Sequence, residues 1–453
     1  MQNDFGKGKI WKVIMAQALP LMAAQLVHLL YNVVDRIYIG HLENIGSMAL
    51  TGIGLAFPIT TLVAAFTNLF ATGGAPFFAI ARGEGDDEKA ELILSQVTSM
   101  LCITSVILFV ISFVWRKQIL YLFGASDASY AYADEYLRIY IWGTSAAMLS
   151  TGLNVFINGS GYPRIGMMTI FLGALLNLIL DPILIYYFHM NVAGAALATV
   201  ISQIVSCFWA VSFFLRDTAP YRIRPAYMRP RWSVIKEIIP LGTAGFVMQG
   251  TNSLVSIVCN TTLRTFGGDL YVGIMTVINS VREILSLPAQ SISQGAQPVF
   301  SYNYGAKNYS RIKSGIRFMT WAVLVYTAAA WALTIAFPQF LMSVFTNDSA
   351  MIEAGTHSLR LYFFAFVFMT FQSGGQSVFT ALRCSKRAIF FSLFRKVFMV
   401  TALTILLPRI GFGADGVYIA EPVSNVIGGL ACFIAMYLTV YRKLPQDGEE
   451  AHI

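Results

Sequence analysis

Apolar residues run along the chain in blocks separated by short polar stretches, near residues 13–39, 47–81, 91–115, 132–158, 164–188, 192–215, 233–263, 271–304, 314–337, 356–382, 388–407 and 415–441. A helix of about 20 apolar residues crosses a hydrocarbon core about 30 Å thick, so each block is long enough to span a bilayer. The pattern predicts an all-α polytopic membrane protein with twelve transmembrane helices. The first block follows a Lys-bearing tail with no small-residue cleavage site, and it reads as the first span rather than a removable signal.

The blocks also repeat. At an offset of about 220 residues, Pro20 faces Pro240, Asn32 faces Asn252, Gly85 faces Gly305 and Gly194 faces Gly416. The runs Leu137-Arg138-Ile139-Tyr140 and Leu359-Arg360-Leu361-Tyr362 match, as do Val155-Phe156 and Val378-Phe379. Two pseudo-symmetric six-helix lobes follow: an amino-terminal lobe at 1–215, an Arg- and Pro-rich linker at 216–232, a carboxy-terminal lobe at 233–441 and a tail at 442–453. Six is even, so both repeats enter the membrane from the same side, as parallel repeats. Such repeats occur in secondary transporters that hold substrate near mid-membrane and rock.

Composition agrees. The 453 residues are 56% apolar and only 12% charged, too little charge to clothe soluble domains. The net charge of +8 is unevenly placed. With the amino terminus in the cytoplasm, nearly all basic loop residues fall on that side, and the opposite loops keep only Arg116, Lys117, Arg264 and Arg409. The positive-inside rule then puts both termini in the cytoplasm and the chain in the cell membrane, plasma or inner, as a multi-pass protein. A nucleic-acid partner is not expected; the aromatic-basic run Tyr221-Arg222-Ile223-Arg224-Pro225 reads as an ordinary cytoplasmic loop. Cys102, Cys207, Cys259, Cys384 and Cys432 are scattered singly and read as packing residues. No H-E-x-x-H, G-x-S-x-G or G-x-x-x-x-G-K-[ST] motif is present, so neither an embedded enzyme nor ATP as fuel is expected.

A charge at mid-bilayer is costly and marks a functional candidate. The interior acids are Asp35, Asp181, Glu283 and Glu421; the bases are Arg36, Arg282, Arg395 and Lys396. Gln25, His28, Asn32 and Asp35 follow at steps of three, four and three, on one face of the first helix. Asn177 and Asp181 lie one turn apart on the fifth, and Pro182 there removes a backbone donor. Together these oxygens form a candidate site for H+ or Na+. The repeat places Val255 near the counterpart of Asp35, Leu403-Thr404 near that of Asp181, and Glu421 opposite Thr199. The acidic pair therefore belongs to the first lobe alone. Glu421 is expected to offer counter-charge to a cationic solute. Arg282 and Glu283 read either as a local ion pair or as functional charges, and Arg395 and Lys396 are expected to snorkel toward the cytoplasm, with an interior pairing with Glu421 as the alternative.

The motifs Tyr31-Asn32-Val33-Val34-Asp35-Arg36, Ala81-Arg82-Gly83-Glu84-Gly85, Asn177-Leu178-Ile179-Leu180-Asp181-Pro182, Ile292-Ser293-Gln294-Gly295-Ala296-Gln297-Pro298 and Tyr302-Asn303-Tyr304-Gly305-Ala306 carry a resemblance. Over nearly its whole length the chain resembles the multidrug and toxic compound extrusion (MATE) family. The resemblance implies a secondary active antiporter that exports cationic or aromatic drugs in exchange for H+ or Na+ by alternating access. In the branch with an amino-lobe ion site it implies Asp35, Asn177, Asp181 and Thr199 as coupling residues, and as metal ligands only if Na+ is the coupling ion. Gln25, His28, Asn32, Glu283 and Glu421 are the further interior polar candidates for substrate. The expected partners are small drug-like molecules and the lipid bilayer, with no cofactor beyond the coupling ion, and the expected state is a monomer. A lipid-linked oligosaccharide flippase of the same superfamily, and a channel or sensor, are the alternatives.

Overall fold

A computed structural model describes residues 3–40, 46–123, 125, 127–216, 219–346 and 348–451; within the helices, the side chains of residues 32, 33, 36, 37, 40, 46–52, 57, 128, 253 and 269 lie outside the description. The chain is all-α, with twelve membrane helices in two repeats of six. In the first repeat these are α1 (Ile10–Gly40), α2 (Gly46–Glu84), α3 (Asp87–Val114), α4 (Asp127–Gly159), α5 (Pro163–Pro182, extended by a wide π turn at Ile183–Tyr187) and α6 (Asn191–Leu215). In the second, Trp232–Gly305 is broken at Gly268, where φ is 74°, into α7 (232–267) and α8 (269–305). There follow α9 (Tyr309–Ala336), α10 (Ser349–Ala381), α11 (Ser385–Phe412) and α12 (Gly413–Thr439).

By length and hydropathy alone, eight stretches among the described residues suffice to cross a membrane, one of them holding both α11 and α12. α4 and α10 are each cut by a 3-10 turn, at Ile141–Gly143 and Phe366–Phe368, into pieces too short to span alone. Outward faces are apolar: Ile103, Ile107, Val110 and Val114 on α3 are exposed, as are Trp321 and Val325 on α9. In lipid that exposure carries no penalty.

The backbone sharpens the repeat. Left-handed residues fall at Gly85, Gly161, His189 and Asn191 in the first half and at Lys307, Arg383, Gly411 and Gly413 in the second, each pair 222 residues apart. This register keeps Thr199 opposite Glu421 and Leu403 opposite Asp181, and it moves the counterpart of Asp35 from Val255 to Ile257.

The chain forms two compact units. One comprises residues 1–3 and Pro20–Gly242; the other comprises Asp4–Leu19 and Thr243–Ile453. They depart from chain order at 1–215 and 233–441. The first turns of α1 belong to the second unit and those of α7 to the first, with the change next to Pro20 and just past Pro240. In the second unit Phe5 is fully buried, and Arg311 donates to the carbonyls of Phe5, Lys7 and Gly8. The segment after α6 is strapped to the first unit. Glu91 accepts from the Arg222 N–H at 3.1 Å and pairs with Arg224, and Gln96 donates to the Arg229 carbonyl at 2.7 Å. The tail docks on the second unit, where Asp447 accepts from the Ser310 N–H at 2.8 Å; the bonds from the Ser310 hydroxyl and backbone hold that carboxyl below the usual carboxylate range.

Gly194 and Gly416, matched by sequence, make the same close approach in each repeat. A Cβ on Gly194 would stand 2.8 Å from the carbonyl carbon of Leu184, and one on Gly416 2.7 Å from the nitrogen of Pro408. Neither neighbour can yield, because both are backbone. Gly416→Ala and Gly194→Ala are each expected to cost about 1–3 kcal/mol, measured as a lower unfolding midpoint of detergent-purified protein. Gly250→Ala, whose added methyl meets nothing within 4 Å, is expected to leave the midpoint unchanged or raise it slightly.

Candidate functional site

The first unit gathers the acidic candidates. α5 is amphipathic in the opposite sense from a soluble helix: Leu175, Leu178 and Ile179 are exposed, while Asn177 and Asp181 turn inward at 3% and 1% exposure. Pro182 cannot donate a helical hydrogen bond, and the backbone widens immediately after it into the π turn at Ile183–Tyr187. Such turns often mark functional positions.

The Asn177 amide donates to Asp181 Oδ1 and to Thr199 Oγ1, each at 3.4 Å. Thr199 on α6 in turn donates to the Ala195 carbonyl at 3.0 Å. The Asp181 and Asp35 carboxyls are hydrogen-bonding neighbours, so α1, α5 and α6 converge on one point. Asp35, Asn177, Asp181 and Thr199 thus form one cluster. The Asn177 Oδ1 oxygen is buried and accepts no hydrogen bond among the described residues, which leaves it available to a proton-bearing group or a cation.

Tyrosines that the sequence did not single out frame this cluster. Tyr136 stands beside Thr199, Tyr140 stands beside Gln203, and Tyr31 lies one turn before Asp35 on α1, in the electrostatic reach of both acids. In sequence these rings look like ordinary packing aromatics. The only available signal was that Tyr140 is retained in the second repeat as Tyr362. Of the remaining first-lobe candidates, Gln25 is half-buried and His28 is exposed, stacked edge-on against Tyr31 at 5.0 Å. The side chains of Asn32 and Arg36 lie outside the described residues.

Glu421 and the second-lobe bases form a separate cluster in the second unit. Glu421 Oε1 accepts from Arg395 Nη1 at 3.0 Å and from Lys396 Nζ at 3.2 Å, and Arg282 Nη1 stands 3.9 Å away. Three expectations are corrected here. Arg395 and Lys396 turn inward instead of snorkelling, because a buried carboxylate and the π turn at Phe394–Thr401 bring both onto one partner. Arg282 faces Glu421, while Glu283 is exposed. The Glu421 carboxylate, bonded by Arg395 and Lys396 and approached by Arg282, has no counter-charge left for a cationic drug.

Comparison with known proteins places this geometry in context. A family model described as MatE matches residues 20–183 and 246–404. The chain is 26% identical over 357 residues to the multidrug export protein MepA of Staphylococcus haemolyticus, covering 79% of this chain and 78% of that one. It is 24% identical over 434 residues to MepA of Staphylococcus saprophyticus, covering 96% and 95%. Its fold matches, with a TM-score of 0.90 at 22% identity and 97% of each chain covered, an outward-facing multidrug resistance MATE family transporter.

The amide of Asn177 bridges a buried carboxyl and a hydroxyl, and its removal leaves both underbonded. Asn177→Leu is expected to cost about 1–3 kcal/mol, read as a fall in the unfolding midpoint of detergent-purified protein. Thr199→Ser, which keeps the hydroxyl, should stay close to the parent.

Proposed function

The chain belongs to the MatE family, and from that premise we propose that it is a multidrug exporter which moves cationic and aromatic drug-like molecules out of the cell in exchange for H+ or Na+. It works in the cell membrane with both termini in the cytoplasm, as a monomer, by alternating access. The names of its MepA relatives support export of drugs.

The observation that carries the coupling is the contact between Asp35 and Asp181. Two carboxyl groups in hydrogen-bonding contact require a proton or a cation between them. Asn177 and Thr199 add neutral oxygens beside them, which suits Na+ as well as H+. In a poorly hydrated interior the pair loads and unloads as one unit. Loading neutralises the acids, unloading restores charge, and that difference biases whichever state of the carrier exposes the site. Gln25 and His28 are polar groups on the same helix as Asp35, available for substrate contact.

In proteoliposomes with pH and Na+ gradients imposed separately, one gradient should drive uptake or release of a cationic dye. Asp35→Asn and Asp181→Asn should each reduce gradient-driven transport by at least about 100-fold, the scale of a lost buried charge interaction, at unchanged expression. Wild-type transport by either variant at saturating gradient would refute the coupling assignment. Steady current without dye movement would instead mark a channel.

Ion and drug are expected to antagonise one another, since entry of the ion must favour release of the drug. Equilibrium binding of a labelled cationic drug to the purified protein should weaken as pH falls if H+ couples, because protonation fills the carboxyl pair. It should weaken as Na+ rises if Na+ couples. Indifference to both ions would leave coupling only through the conformational change itself.

A further inference from the structure

The second unit carries a cluster of opposite sign to the acidic site of the first, and only part of it lies at repeat-equivalent positions. At the 222-residue offset Thr199 corresponds to Glu421, Gln203 to Asn425 and Tyr140 to Tyr362. The acids Asp35 and Asp181 have no counterpart there. In their place Arg282 from α8 and Arg395 and Lys396 from α11 converge on Glu421 of α12. Arg395 Nη1 also donates to Asn425 Oδ1 at 2.7 Å.

The charge does not balance. Three bases share one carboxylate, and the cluster is largely withdrawn from surface: the side chains of Lys396, Glu421 and Arg395 are 9%, 10% and 14% exposed. Tyr362, Cys259 and Cys432, which also face it, are neutral in their ordinary forms. Glu283, next to Arg282 in sequence, is exposed and adds a negative charge near Arg282 from outside the buried cluster. A structural ion pair needs one base for one acid, and each further buried charge costs several kcal/mol unless it is compensated. Arg282 differs from the other two bases. It is 38% exposed and, at 3.9 Å, beyond hydrogen-bond reach of Glu421. Ser392, one turn before Lys396 on α11, is 3% exposed, and its hydroxyl has no hydrogen-bond partner among the described residues.

We propose that Arg282, Arg395 and Lys396, held in place by Glu421, form an oxyanion-binding subsite in the interior of the second unit that takes the carboxylate or phosphate group of an organic molecule. Glu421 keeps two bases oriented while the subsite is empty. Arg282, the accessible one, meets the ligand first, and a guanidinium suits a planar carboxylate or a phosphate through paired N–H donors. The Ser392 hydroxyl is a further donor on the same stretch of α11. The inference deepens the proposed function by extending its substrates from cations to aromatic zwitterions and anions. It rests on that reading for transport but not for binding.

The test uses full-length protein in detergent and two probes: a cationic xanthene dye carrying one carboxylate, and the methyl ester of the same dye. The wild type should bind the carboxylate dye at least about tenfold more tightly than the ester, one decade of affinity being the scale of a single charge-assisted bond. Arg282→Gln should reduce that preference below about threefold. Glu421→Gln, which frees bases from their internal partner, should strengthen binding of the carboxylate dye, a change of sign that a merely structural ion pair would not give. If Glu421→Gln does not fold, the partly exposed Arg282 carries the test. Competition by inorganic phosphate and by acetate then separates the two oxyanion classes. Equal affinity for dye and ester in the wild type, or a preference untouched by Arg282→Gln, would overturn the proposal. Gradient-driven transport of the ester dye reports on the exporter reading alone: transport without a carboxylate preference sinks the subsite, and a preference without transport sinks the exporter.

Discussion

The controlling constraint is that a backbone in hydrocarbon must satisfy its own polar groups, and that any side-chain charge placed there must find a partner. Together these requirements leave the spans helical and confine irregular backbone to protected places. The places where the helical ladder changes pitch are informative for that reason. One follows Pro182, beside Asp181. Another, at Phe394–Thr401, holds Arg395 and Lys396. A π turn advances less per residue than an α turn, so two consecutive bases can address one carboxylate. The wide turn at Ile183–Tyr187 in the first repeat, and a further one at Pro408–Phe412 in the second, lie against the glycine near the start of the next helix, so the irregular backbone there is packed and not left to lipid.

The two units meet the cost of buried charge in opposite ways. In the first, two acids, Asp35 and Asp181, are neighbours, and Asn177 and Thr199 beside them are neutral. In the second, Glu421 is outnumbered by bases, and the cluster is short of negative charge. Both arrangements use the fifth and sixth helices of their repeat, joined by the first helix in one unit and by the second in the other, and the correspondences Thr199 with Glu421 and Gln203 with Asn425 show that the scaffold was kept while its chemistry was exchanged. Packing alone does not require that exchange, because the positive-φ turns and the Gly194 and Gly416 contacts are the same in each half.

The twelve helices and the two-fold repeat were legible in the sequence because they depend on properties that run along the chain: the length of apolar runs, the positions of proline, the spacing of matched residues. The step of four from Asn177 to Asp181 was enough to put both on one face of α5. The convergence of Thr199 on that pair was not readable from spacing, and it entered only through resemblance to a family. Tyr31, Tyr136 and Tyr140 passed as packing aromatics, since a ring that packs and a ring whose hydroxyl serves a site look alike in sequence.

Other features depended on which residues meet through space. Nothing in the order of residues says that Arg395 and Lys396 point inward, since a long basic side chain can equally reach for the membrane surface; the presence of Glu421 a helix away decides it. Likewise the starts of α1 and α7 belong to the units opposite their own repeats, although the chain between them is continuous and similar in composition. The sequence by itself determined the helices, their number and the candidate acids, because periodicity and burial of apolar surface are local consequences of composition. Tertiary structure alone decided the partner of each buried charge, because pairing energy depends on distances between helices that are remote along the chain.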